Sequence, residues 1–303
     1  MTAKRLIVNA DDFGMSRGIS DAILIAHRHG FLTSASLVVN MPASEYALER
    51  LAKAPNLGVG IHLNICQGKP ILHPHEIPSL VDTSGDFHSP PALIQRIWRW
   101  QISKQDVQAE FRAQIRWMKD RGIEPTHADS HHHMHIYPAA VRPFLRALAT
   151  EGVHRTRAPR CRTFPRNSTI GGPHEGSVVR RIAVQSYRSA LQIIAFRTIH
   201  CPDSRISFLS RDRKNLRTLR EKWVAALEHL PAGTFELACH PGIPEPGFSH
   251  EDRISYQREE ELRCLIDPKF REILARTGIE LITYSELSNK RVVHQHAARA
   301  AMF

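Results

Sequence analysis

Short apolar runs alternate repeatedly with longer amphipathic ones along this chain. Residues 6–10, 35–40 and 57–63 read as strands, and residues 19–29, closed by Gly30, and 44–54 read as the helices between them. Parallel strands need a crossover of helical length, so this repetition is the signature of βαβ units. Further on, helical stretches at 91–101 and 106–121 precede a strand around 127–133, and a helix at 139–151 follows. Late strands are expected at 235–239 and 279–283, with helices at 216–229 and 255–266. That strand count suits a distorted or incomplete (β/α) barrel better than an open sheet, with the active site at the C-terminal ends of parallel strands.

At 303 residues the chain is long enough for one large core, and a single barrel domain over 1–290 with a tail at 291–303 is expected. Residues 65–91 are rich in Pro, His and Gly and read as a long loop over one end of the sheet. Residues 155–175 are equally irregular, and 176–212 mix arginines with aliphatic residues, so an insertion at about 160–212 is read as an amphipathic cover over the site.

Lys and Arg outnumber Asp and Glu by 41 to 30, a net charge of +11, with a pI near 9.8. This balance suits an anionic partner or a solubilising surface. Nucleic acid is not expected, because the basic stretch 205–222 lacks interleaved stacking aromatics. Five cysteines without C-x-x-C spacing argue against a disulfide framework and for a reducing cytoplasm. No signal peptide is visible, and no apolar run approaches the roughly 20 residues of a spanning helix.

Four strands deliver acids and imidazoles to one rim. Asp11 and Asp12 follow the first, His62 lies in "GVGIHLN", and "HADSHHHMHIYP" carries Asp129, His131, His132, His133 and His135. His240 follows "FELAC". Adjacent carboxylates repel, and a bound cation keeps both ionised. Asp12, His62 and one histidine of the cluster make a carboxylate-plus-two-histidine set with open positions. A water on such an ion is acidified, Asp11 can take its proton, and His240 can protonate a leaving amine. In a strand, His131 and His133 would share one face and His132 the other. The tripeptide Asp12-Phe13-Gly14 lacks the other kinase motifs, and Cys239 and His240, as strand neighbours, point apart.

At "RLIVNADDFG", "GVGIHLN", "THADSHHHMHIYP" and "ACHPG" the sequence resembles the YdjC-like carbohydrate deacetylases, which include chitooligosaccharide deacetylases and the deacetylase associated with hopanoid biosynthesis. The likeness runs from residue 5 to about 287 and weakens between 160 and 212. It implies a distorted (β/α) barrel that removes the acetyl group from an N-acetylated amino sugar. It also implies Asp11 as catalytic base, Asp12, His62 and His131 as ligands of one divalent metal, and His240 as acid. The resemblance implies magnesium, whereas two imidazole ligands argue on softness for zinc, cobalt, nickel, iron or manganese. A basic, apolar cover is compatible with an N-acetylglucosaminyl glycolipid such as a hopanoid and equally with a chitooligosaccharide. Peripheral contact at the inner membrane face and a homodimer are left open. The alternatives are a metal-dependent phosphoesterase on the same scaffold, which would want a glycine-rich phosphate cradle, and a non-catalytic sugar-binding protein.

Overall fold

The computed structural model describes residues 3–158, 199–208, 216–245 and 255–287. Its strands are β1 (Lys4–Phe13), β2 (Ser34–Leu37), β3 (Gly58–Leu63), β4 (Ala128–Ser130), β5 (Ser204–Ile206), β6 (Gly233–Cys239) and β7 (Ile279–Leu281). The helices are α1 (Arg17–His29), α2 (Ser44–Leu51), α3 (Pro90–Trp98), α4 (Lys104–Lys119), α5 (Pro138–Thr150), α6 (Leu216–Glu228), α7 (Ser255–Ile266) and α8 (Pro268–Thr277). All strand pairings in the sheet are parallel, in the order β4-β3-β2-β1-β6-β5, and β7 joins β1 off this path.

β1 is the axis of the sheet. One edge pairs with β6 along Lys4–Ala10, and the other is shared between β7 at Lys4–Leu6 and β2 from Asn9 onward. Isolated parallel bridges, Ala128↔Thr156 and Arg155↔His200, lead from β4 across the 155–156 segment to the residues just before β5. Among the described residues the sheet therefore curls into an incomplete (β/α) barrel with single bridges at its seam. Alternation along β1 sorts its side chains: Leu6, Val8 and Ala10 join the main core with the helices, while Ile7 packs with Ile282, Tyr284 and Leu287. Asn9 and Asp11 lie on the same side of the strand as Ile7, farther along the barrel.

Three expectations change. The strand expected around 127–133 stops at Ser130, and His131–Ile136 form a 3₁₀ turn with His132 and His133 in the left-handed region (φ 50° and 55°). The face-sharing expected of His131 and His133 therefore does not apply. β1 does not end before the Asp pair but runs through it to Phe13. β5 lies inside the range read as an insertion, as a strand of the barrel itself. The rest of that insertion and the 291–303 tail lie mostly or wholly outside the described residues.

α8 was not anticipated, although its caps are written in the sequence. The Asp267 side chain accepts from the Lys269 N–H, Pro268 opens the first turn, and Gly278 closes it at φ 66°. No helix among the described residues is long and apolar enough to cross a membrane.

Candidate active site

The pairing of β1 with β2 shifts register between Ala10 and Phe13, which pair with Ala35 and Leu37. Asp11 and Asp12 together oppose Ser36, a β-bulge, and Asp12 takes a left-handed backbone with φ 67°. In a regular strand these neighbours would face opposite sides. The bulge re-aims Asp12, so both carboxylates reach the same pocket. Gly14 follows at φ 86°, where an added Cβ would lie 2.9 Å from the Val38 carbonyl oxygen, and Ser16 caps α1 by accepting from Ile19 N–H.

Asp12 Oδ1 lies 3.1 Å from His131 Nδ1 and 3.6 Å from His62 Nε2. His62 Nδ1 donates to Asp129 Oδ1 at 2.6 Å, which turns Nε2 toward Asp12. The other histidines of the cluster have different partners. His133 meets the Arg205 guanidinium at 2.7 Å, His135 Nδ1 meets Ser130 Oγ at 2.6 Å, and the partly solvent-facing His132 ring packs edge-on against His131 at 4.3 Å between centroids. Of the consecutive three, His131 makes the hydrogen bond to Asp12, with its Nε2 2.9 Å from Gln67 Oε1.

Behind this set lies a buried charge network. Arg157, on the seam next to β4, is 1% exposed and reaches three carboxylates. It donates to Asp11 at 2.5 and 2.7 Å, to Asp129 at 2.8 Å and to Glu236 of β6 at 2.7 Å. Burial pushes the Asp11 and Asp129 carboxyls up, but the Arg157 charge outweighs it and holds both below the usual range. Burial pushes Asp12 up too, and the Arg258 guanidinium at 2.7 Å, with His131, holds it well below its ordinary value. Burial lowers the His62 imidazole, yet Asp129, Asp11 and Asp12 raise it to about 9. His240 Nε2 stands 3.6 Å from Asp11 Oδ2, its backbone N–H donates to Glu261, and its buried Nδ1 has no hydrogen-bond partner among the described residues.

The donor atoms of Asp12, His62 and His131 lie within 4.8 Å of one another. Ligands about 2.0–2.2 Å from an ion sit roughly 3.3 Å apart, so the separations of 3.1 and 3.6 Å about Asp12 suit a divalent metal. Asp11, His62 and Asp129 form a second such group. There Arg157 already supplies the positive charge, bonding both carboxylates, so that set fits a guanidinium and not a second ion.

The structure thus brings Asp11, Asp12, His62, His131 and His240 together. Sequence reasoning missed Arg157, Arg258, Glu236 and Glu261. Glu236 had a signal, an acid inside the apolar strand "FELAC". The two arginines had none, since nothing in a basic chain distinguishes two of its many arginines before the fold buries them.

The chain matches the family model described as YdjC-like protein over residues 5–276. A carbohydrate deacetylase of Geobacillus stearothermophilus is 33% identical over 282 residues, covering 92% of this chain and 96% of the relative. A carbohydrate deacetylase of Mus musculus is 31% identical over 302 residues, covering 95% and 96%. Among solved structures, a protein of Enterococcus faecalis V583 described in connection with cellobiose-phosphate cleavage shares the fold at a TM-score of 0.73. It is 24% identical and covers 95% of this chain and 100% of its own.

Proposed function

The chain belongs to the YdjC-like protein family, and on that premise we propose that it is a metal-dependent carbohydrate deacetylase that frees acetate from an N-acetylated amino sugar. The observation that carries this reading is the convergence of Asp12, His62 and His131 beside Asp11 and His240. Asp12, His62 and His131 would hold a divalent ion, which would supply a Lewis acid to polarise the amide and acidify the attacking water.

The chain's own groups do the rest. Asp11 is ionised at neutral pH because Arg157 holds it so, and its Oδ2 accepts the proton of the attacking water. His240, 3.6 Å away on the same oxygen, delivers a proton to the departing amine as the carbon–nitrogen bond breaks. Arg157 and Asn9 fix the Asp11 carboxylate, and Asp129 fixes the His62 ring. Two imidazole donors favour zinc, cobalt, nickel, iron or manganese over the magnesium that the resemblance implied.

The test is acetate release from N-acetylglucosamine, diacetylchitobiose and an N-acetylglucosaminyl lipid, with chelator and with each metal restored. Acetate that stops with chelator and returns with one metal is the expected result, and the preferred substrate separates an oligosaccharide from a glycolipid. Phosphate release from phosphoesters with no acetate from any member would overturn the reading in favour of a phosphoesterase.

A second expectation concerns pH. His62 must be neutral at Nε2 to bind a metal, and in the metal-free protein its pKa stands at about 9. Metal binding should therefore release a proton, with affinity rising about tenfold per pH unit toward pH 9 and levelling above it. Conversely, the raised pKa stabilises the metal-free fold below pH 6.5, and that contribution is lost as pH rises through about 9. Calorimetric metal titrations in buffers of different ionisation enthalpy measure the proton count. A pH-independent affinity would take His62 out of the ligand set.

A further inference from the structure

Helix α3 ends in a Schellman turn whose closing position is held by tryptophan. The Trp100 N–H donates to the Ile97 carbonyl at 3.1 Å and the Gln101 N–H to the Arg96 carbonyl at 3.0 Å. The residue at that position must be left-handed, and Trp100 has φ 59°. Glycine adopts this conformation without a Cβ clash, and for a bulky side chain it is an outlier. Nor does the core gain from the indole, which is 83% exposed. Strain of this kind points from geometry to function.

The surroundings define what the indole meets. Trp100 lines a groove with Ile97, Trp98, Ile102, Lys104 and Pro138. Trp98 is itself 38% exposed. Arg99 and Lys104 are exposed beside the two indoles, and residues 87–105 contain no Asp or Glu. The groove also lies at the catalytic end of the barrel. α4 leads down to the start of β4, where Thr126 N–H donates to Val59 O, so its first residue, Lys104, is at the opposite end. α5 begins at Pro138, directly after the 3₁₀ turn that carries His131.

We propose that the α3–α4 turn is a membrane-docking surface that sets the catalytic rim of the barrel against an anionic lipid bilayer. Indoles settle at the headgroup level, where an apolar ring and a polar N–H are both satisfied. Arg99 and Lys104 meet lipid phosphates around them. The groove's walls are apolar, with Lys104 as its charged member, which suits acyl chains below a phosphate layer better than the hydroxyls of a sugar. This docking does not depend on which reaction the site performs.

The test uses the full chain with phosphatidylcholine vesicles, with and without phosphatidylglycerol, in a flotation assay. Wild-type protein should float with the anionic vesicles and lose binding as salt is raised. Trp100→Gly restores the residue the turn prefers, so it should raise the melting temperature by about 1–3 °C while losing most vesicle binding. Arg99→Gln should weaken binding about fivefold, as one interfacial charge does. Turnover of a soluble substrate should be unchanged in both variants. Equal flotation of wild type and Trp100→Gly, or no flotation of wild type, overturns the proposal. So does a fluorescence change on adding chitooligosaccharide that requires Trp100 in a protein that ignores vesicles, which would make the surface a sugar platform.

Discussion

Arg157→Met is expected to destabilise the protein by about 3–5 kcal/mol at pH 7, because removing one member of a buried ion network leaves its partners uncompensated. The side chain is 1% exposed and holds Asp11, Asp129 and Glu236, each in the same buried volume. Denaturant unfolding reads the loss, and pH gives it a signature. In the wild type the depressed Asp11 and Asp129 pKa values stabilise the fold fully above pH 4, and this contribution disappears as pH falls through the folded values. In the variant these carboxyls have lost their cation, burial raises their pKa, and mild acid should stabilise what it leaves. Arg157→Lys keeps the charge without the fork and should fall between the two. A loss below about 1 kcal/mol for the methionine variant would mean that the network does not hold the barrel seam.

Asp11→Asn is expected to slow turnover about a hundredfold or more while metal content stays intact. Asn cannot accept the proton, yet it retains an oxygen for Arg157, and the proposed ligands Asp12, His62 and His131 are untouched. Metal analysis and rate must be read together. Loss of both would say that the variant disturbs the ligand set, and a near-normal rate with bound metal would leave Asp11 as nothing more than an anchor for Arg157. Arg157→Lys provides the control: if Asp11 is only an anchor, the two variants should lose stability alike and rate hardly at all.

Much of the frame was legible in one dimension because it rests on local rules. The alternation of apolar runs and amphipathic stretches marks every strand but β5 and every helix but α8, with α7 at its observed bounds, since burial of a face imposes its period on the sequence. The residues that converge on the candidate site were legible for a related reason. A parallel sheet has one chemical end, so Asp11, His62 and His240 could be placed there without coordinates. The choice among His131, His132 and His133 was not legible from spacing, and only the family resemblance pointed to His131. It depends on two left-handed residues in a tight turn, and no periodicity encodes that.

The parallel architecture, and which of its ends carries acids and imidazoles, follow from the period and order of residues along the chain. The tertiary structure alone decided that two neighbouring carboxylates share one pocket, which takes the bulge opposite Ser36. It alone decided that Arg157 and Arg258 are their counter-charges. Those arginines stand 146 and 246 residues from the acids they bind. Electrostatic pairing acts through distance in space, and only the closed sheet brings such distant positions into contact.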